Sequence, residues 1–268
     1  MIGAHAVKKH IKAVDAHGRK LGGETPLLCT PLVGRTRERL LVEAARVLRQ
    51  KPDLVEWRVD FFDAIGDTDA VIETARALRE VVGKHPIIFT RRAERGGGEP
   101  TEIGDAAVVE LYDVVAASGL VDFIDFETDN DSEHLRRVRE STRRHEVRLI
   151  LSYHNLSYTP GLDYLVDRFL EAERLGADVA MVQVMPRDRA DVLRLLAATA
   201  EADNKARIPL ISMSVGPLGS VTRMVGGLFG SWLSFAVGES ASAPGQIPIG
   251  DLVTIYDIIR RARGGEML

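Results

Sequence analysis

Short apolar runs alternate with amphipathic stretches along most of this chain, repeating about every 30 residues, the length of a strand–helix–strand crossover. The runs are Pro26–Thr30, Asp53–Val59, Pro86–Thr90, Val121–Phe126, Arg148–Tyr153, Ala177–Val184, Ile208–Val215 and Trp232–Val237. Each is close to continuously apolar instead of alternating, which is the pattern of parallel strands covered on both faces. Between them, stretches such as RERLLVEAARVLRQ (37–50) and AVIETARALREVV (70–82) place apolar residues at helical spacing with charges on the opposite side. Eight strand–helix units predict an α/β fold, the (β/α)8 TIM barrel. The rival doubly wound sheet usually carries a glycine fingerprint after its first strand, and TPLVGRT (30–36) has none. No linker rich in Pro, Gly or Ser divides the chain, so residues 1–268 are expected to form one barrel domain. Residues 1–25 are polar and contain the turn-like HGRKLGGE (17–24), which predicts an arm or hairpin closing the barrel bottom.

In such a barrel alternate strand residues point inward, and chemistry collects at the C-terminal strand ends. On that parity Leu54, Glu56, Arg58 and Asp60 share one face, as do Ile88, Thr90 and Arg92. Phe123, Asp125 and Glu127 align on the fourth strand, and Ile150, Ser152 and His154 on the fifth, while Thr30 ends the first. Each strand starts apolar and finishes polar, so the ends predict a pocket for an anionic substrate. His154 is the leading candidate for proton transfer, since imidazole titrates near neutral pH. The other six histidines fall in the arm, at strand beginnings or on helices. Glu56, Arg58, Arg92 and Asp125 read equally well as a paired structural network or as substrate contacts. Gly96-Gly97-Gly98 lacks the frame of a P-loop and is expected to be a mobile loop over the mouth, with 240–246 a second mouth loop.

Composition narrows the partners. The 268 residues carry a formal net charge of −4, which gives no reason to expect nucleic acid. No run approaches the ~18 apolar residues of a membrane span, and the first 20 residues lack the apolar core of a signal peptide. The single cysteine, Cys29, fits a reducing cytoplasm. No His, Cys and Asp residues have metal-ligand spacing, so no metal is expected. Of 35 basic residues, seven are lysines, and none of those seven falls at a predicted strand end facing the mouth.

Several segments together resemble the type I 3-dehydroquinate dehydratases. They are EWRVD (56–60), FTRR (89–92), IDFE (124–127), SYHN (152–155) with the Thr159-Pro160 pair after it, MSVGPLGSVTR (213–223), LFGSWLSF (228–235) and SAPGQ (242–246). The resemblance implies a TIM barrel, a homodimer, and a cytoplasmic lyase with no metal or organic cofactor. Its reaction converts 3-dehydroquinate to 3-dehydroshikimate and water, in the shikimate pathway of aromatic amino acid biosynthesis or in quinate catabolism. A lysine forms a Schiff base with the substrate ketone, and a histidine moves the proton. The resemblance places the histidine at His154 and substrate contacts at Thr30, Glu56, Arg58, Arg92, Met213, Arg223, Phe235, Ser242, Ala243 and Gln246.

The chain departs from the family in three places. The family lysine stands four residues ahead of a Met-Pro pair; here Met185-Pro186 is present and the matching residue is Met181. A thioether cannot condense with a ketone, and acid–base catalysis by His154 alone supplies roughly 10²–10⁴-fold. The chain is therefore expected to be an inactive Lys→Met variant; a naturally silent protein that binds or senses quinate-like acids is the alternative. A phosphosugar-binding barrel enzyme is a third reading. Gly96 replaces a loop glutamate, for which Glu94 or Glu99 is expected to substitute, and Gln183 replaces a small residue on the inward face.

Overall fold

The computed structural model describes residues 13–23, 25–238 and 245–262. Eight parallel strands follow one another around a single sheet: β3 (Leu27–Leu32), β4 (Leu54–Arg58), β5 (Ile87–Thr90), β6 (Phe123–Glu127), β7 (Arg148–Asn155), β8 (Val179–Val184), β9 (Leu210–Ser214) and β10 (Leu233–Phe235). β10 pairs with β3, and the ring closes between β9 and β10 through one bridge, Leu210 to Ser231, with Trp232 N donating to Leu210 O at 2.8 Å. Six long helices fill the crossovers: α1 (Arg37–Leu48), α2 (Thr68–Val82), α3 (Asp105–Ala117), α4 (Ser132–Arg144), α5 (Leu162–Arg174) and α6 (Arg189–Lys205). Short helices α7 (Gly216–Gly219) and α8 (Val221–Val225) follow β9, and α9 (Ile249–Ala262) ends the described chain. The TIM-barrel expectation holds.

Two apolar layers result. Leu54, Ile88, Phe123, Ile150, Val179 and Ile211 fill the barrel interior, and the alternate residues pack outward against the helices. On the outer face Trp57, Phe89, Tyr112 and Phe126 form a chain of edge-to-face contacts with centroids 5.4–5.7 Å apart, the preferred aromatic geometry. Below the interior layer, β1 (Val14–Ala16) and β2 (Arg19–Leu21) form an antiparallel hairpin that turns at His17 and Gly18, both with positive φ. Val14, Ala16 and Leu21 bury against Leu27, Leu54 and their neighbours, so the described part of the expected arm does cap the bottom.

A repeated device stitches the bottom at alternate strands. Asp53, Asp122 and Asp178 each stand just before a strand. Each carboxylate accepts the backbone N–H of a residue on the preceding strand: Leu28 at 2.9 Å, Ile87 at 2.7 Å and Leu149 at 2.9 Å. An arginine closes each unit, Arg19, Arg79 and Arg139 respectively, at 3.0, 2.6 and 2.7 Å. Asp122 carries the largest load, because it also pairs with His17 Nε2 at 2.9 Å. Replacing it by alanine strands a strand N–H and the Arg79 guanidinium together, and we expect Asp122→Ala to lose about 2–4 kcal/mol. Asp167→Ala, which breaks exposed pairs to Arg168 and Arg174, should lose less than about 1 kcal/mol. Urea unfolding of the two variants checks this; equal losses would refute the stitch.

Candidate active site

At the C-terminal end of the barrel, two buried guanidinium groups organise the floor of a cavity. Arg58 is held in a two-pronged pair by Asp60, Nε to Oδ1 at 2.9 Å and Nη2 to Oδ2 at 2.7 Å. Asp60 also accepts from the backbone N–H groups of Arg92 and Glu99, at 3.3 and 3.0 Å. Arg92 donates to Asp125 at 2.6 Å, Glu127 at 3.2 Å and Ser152 Oγ at 2.9 Å, and Ser152 donates to Asp125 Oδ1 at 2.6 Å. Burial alone would lower the pKa of Arg92, but Asp125 and Glu127 outweigh it and hold the group charged. Glu56 accepts from Thr90 Oγ1 at 2.8 Å. Burial pushes its pKa up, against the pull of Arg58 and Arg92.

Two groups above this floor have open valences. Both ring nitrogens of His154 are shielded from solvent and lack a hydrogen-bond partner among the described residues. Burial, reinforced by Arg92 and Arg58, pushes its pKa well below the ordinary value of 6.5, leaving a neutral imidazole that can accept a proton. Arg223 is 2% exposed; its Nη1 donates to Phe235 O at 3.0 Å, while Nε and Nη2 have no partner. Burial lowers its pKa to about 10, and it still carries its charge at neutral pH. Its place is fixed locally: Thr222 Oγ1 accepts from Ser214 N at 3.0 Å, and Ser234 and Tyr256 hydroxyls donate to Arg223 O at 3.3 and 2.9 Å. An unpaired guanidinium in the same cavity as a neutral base suits a monoanion that carries an acidic C–H.

The cavity measures about 110 Å³. Glu56, Arg58, Arg92, His154, Met181, Met213, Arg223, Phe235 and Gln246 line it together. Thr30 does not. Thr30 pairs in register with Val55 of the outer layer, and its methyl lies against Gly238 and Val47, so it faces the helices; the inward residue beside Glu56 is Pro31. Ser242 and Ala243, and the 240–244 part of the expected mouth loop, lie outside the described residues. Neither Glu94 nor Glu99 lines the cavity; Glu94 is exposed and Glu99 pairs with Arg35 at 2.7 Å. Gly96 and Gly97 do line it, but the glycine run is packed, not loose: a Cβ on Gly98 would lie 2.0 Å from Arg92 O, and one on Gly96 2.8 Å from Glu127 Oε1. Leu156 and Val215 complete the wall; two residues beyond His154 and Met213, they obey the same parity, but their apolar side chains gave no polar signal. Gln183 lines the cavity across from His154. Among the described residues, no lysine lines it, and no three His, Cys, Asp or Glu side chains are grouped to hold a metal ion.

Residues 28–263 match the model of the family described as type I 3-dehydroquinase. The 3-dehydroquinate dehydratase of Albidiferax ferrireducens is 50% identical over 254 residues, covering 94% of this chain and 96% of the relative. That of Geobacillus sp. strain WCH70 is 46% identical over 250 residues, covering 93% and 96%. The crystal structure of 3-dehydroquinate dehydratase from Geobacillus kaustophilus superposes with a TM-score of 0.92 at 44% identity, covering 94% of this chain and 98% of that one. A 3-hexulose-6-phosphate synthase, at 16% identity and a TM-score of 0.58, shares the fold alone.

The histidine's environment has a measurable consequence. We expect the His154 ring resonances to show a neutral imidazole at pH 6.5, where an unperturbed histidine is half protonated, with a His154→Asn variant assigning the signal. Because its folded pKa lies below the unfolded value, the unfolded chain takes the proton first. Stability is therefore lost as pH falls from about 6.5 toward the folded pKa. A His154 midpoint at or above 6.5 contradicts this account.

Proposed function

The chain belongs to the type I 3-dehydroquinase family, and from that premise we propose that its barrel mouth binds 3-dehydroquinate while the lysine-dependent dehydration is disabled at Met181. The family makes it a lyase of the 3-dehydroquinate dehydratase class, with no helix among the described residues long and apolar enough to cross a membrane. The observation that carries the binding half is the buried, unpaired guanidinium of Arg223 in the same cavity as an unpaired, neutral His154. The substrate carboxylate pairs with Arg223 as a charge-assisted, two-pronged contact, and the ring hydroxyls face Glu56, Arg58, Arg92 and Gln246. His154 then stands over the carbon beside the ketone.

The lost half follows from bond-making. In the lysine route the amine nitrogen attacks the ketone carbon, the carbonyl oxygen leaves as water, and the resulting iminium takes up the electron pair of the C–H that histidine deprotonates. The histidine returns that proton to the departing hydroxyl, which leaves as water; a second water then adds to the iminium carbon and the C–N bond breaks, giving 3-dehydroshikimate and the free lysine amine. Met181 is 4% exposed and lines the cavity, but its sulfur has no hydrogen to give up, so addition cannot collapse to an iminium. His154 alone leaves only the roughly 10²–10⁴-fold of positioned acid–base chemistry. Cys29, inside the barrel with its thiol pushed up by burial, is unreactive, which fits the cytoplasmic setting included in this reading. A homodimer is included on the family resemblance, and sedimentation equilibrium measures it.

Met181→Lys should restore dehydration by at least about 10³-fold over the parent chain, followed as enone absorbance, with borohydride reducing the imine to a stable adduct seen by mass. Tight binding of 3-dehydroquinate by both forms with turnover by neither would favour the silent binder. Arg223→Ala should weaken 3-dehydroquinate binding roughly 30- to 1,000-fold, the loss of about 2–4 kcal/mol for a desolvated charge pair. Unchanged affinity in calorimetry, or a sugar phosphate binding better than 3-dehydroquinate, removes the substrate assignment.

A further inference from the structure

The strand that carries Met181 carries a second change on the same face. Gln183 is two residues nearer the mouth, pairs in register with His154 on one side and Met213 on the other, and lines the same cavity. It is half-buried, and no hydrogen bond reaches its amide from any described residue. Met181 and Met213 offer only thioethers, and Phe235 a ring, none of them a worthwhile amide partner. Arg58 Nε and Nη2 and both terminal nitrogens of Arg92 are committed to carboxylates. The cavity therefore holds, beside the blocked nucleophile position, a neutral group able both to donate and to accept one hydrogen bond.

That pairing changes what the site can distinguish. Imine formation requires a ketone, since only a carbonyl carbon can take the amine and release its oxygen as water. An amide N–H donates to a ketone oxygen, and an amide carbonyl accepts from a hydroxyl, so a glutamine serves either oxidation state. We infer that Gln183 is the specificity-determining residue of this cavity, binding the C3 oxygen of a cyclic polyhydroxylated monocarboxylate and making the site equally receptive to the 3-keto acid and to its 3-hydroxy counterpart. This rests on the proposed 3-dehydroquinate site and extends it: the ligand class is widened from a ketone captured covalently to a keto or hydroxy acid held reversibly. The anion is read by Arg223 and the ring oxygen by Gln183, separate tasks carried by neighbouring parts of the ring, the helix after β9 and β8.

Calorimetric titration of the parent chain with 3-dehydroquinate, with quinate, whose C3 bears a hydroxyl, and with 3-deoxyquinate, which lacks that oxygen, tests the inference. The expected result is affinities for the first two within about threefold, and about tenfold weaker binding of the deoxy acid, the effect of one hydrogen bond and an amide left unpaired. Gln183→Met keeps side-chain volume and removes both hydrogen-bonding atoms, and Gln183→Ala removes the bulk as well. Both should level the three ligands by weakening the first two. A preference of more than about tenfold for the ketone in the parent, or affinities that stay the same or rise in both variants, overturns the role of Gln183; a rise would mean that the side chain blocks the site. Arg223→Ala separates the two readings. If it leaves 3-dehydroquinate binding intact, or if the parent binds none of the three acids, the cavity assignment itself falls. If it abolishes binding while Gln183 variants behave as the parent, only the present inference falls.

Discussion

Burying two guanidinium groups beneath a barrel mouth is the constraint around which the rest of this site is arranged. Arg58 and Arg92 are 6% and 4% exposed, and a buried charge without a partner is strongly destabilising. Compensation comes from different strands: Asp60 follows β4, Asp125 and Glu127 stand on β6, and Ser152 on β7. The charged residues therefore act as ties between neighbouring strands before they act as anything else. Asp60 goes further and fixes the loop after β5, through the backbone of Arg92 and Glu99. Glu127 holds the same loop at Ala93 N and Arg95, at 3.0 and 3.3 Å.

Closing these accounts on the floor determines what is left for chemistry. Burial lowers the pKa of His154, and the residual field of the paired Arg92 and Arg58 adds to it without supplying a hydrogen-bond partner. Arg223 is delivered from the other side of the ring by a helix too short to have been placed by packing alone. Hydrogen bonds at Thr222, Ser234 and Tyr256 set it. The result is a cavity whose structural charges cancel locally and whose functional valences, one cation and one neutral base, remain open. Preorganised groups of that kind stabilise developing charge because they need no reorientation when it appears.

Much of this was legible in the residue pattern, because inward parity depends only on counting by two from a residue whose direction is known. Counting from Leu54 gave Glu56 and Arg58; counting from Ile150 gave Ser152 and His154. The same count failed at Thr30 because the first strand was ended there on its last polar residue. β3 runs on to Leu32, and Cys29 and Pro31 take the inward direction. Leu156 and Val215 escaped because apolar strand-end residues look like more core. That Gly98 meets the Arg92 carbonyl is set by the fold of the loop, which composition does not reveal. The aspartate stitches were in view at 53, 122 and 178, but what they bond to is set by register between strands, which a single sequence does not state.

Position 181 brings stability and chemistry into opposition. Val179 lies below it and Ile211 beside it in register, and the cavity it lines holds Arg58, Arg92 and Arg223 together with Glu56. A lysine amine there would be disfavoured as a cation by loss of water and by the unpaired guanidinium of Arg223, and both effects lower its pKa. That is what a nucleophilic amine requires, because only the neutral form attacks a ketone. The same environment makes the lysine a burden on the folded state, since a group forced to shed its proton on folding destabilises the fold at neutral pH. Methionine matches the lysine stem in length and leaves nothing to desolvate. Where a lysine would join a nucleophile to a cost in folding, Met181 carries neither the amine nor that cost.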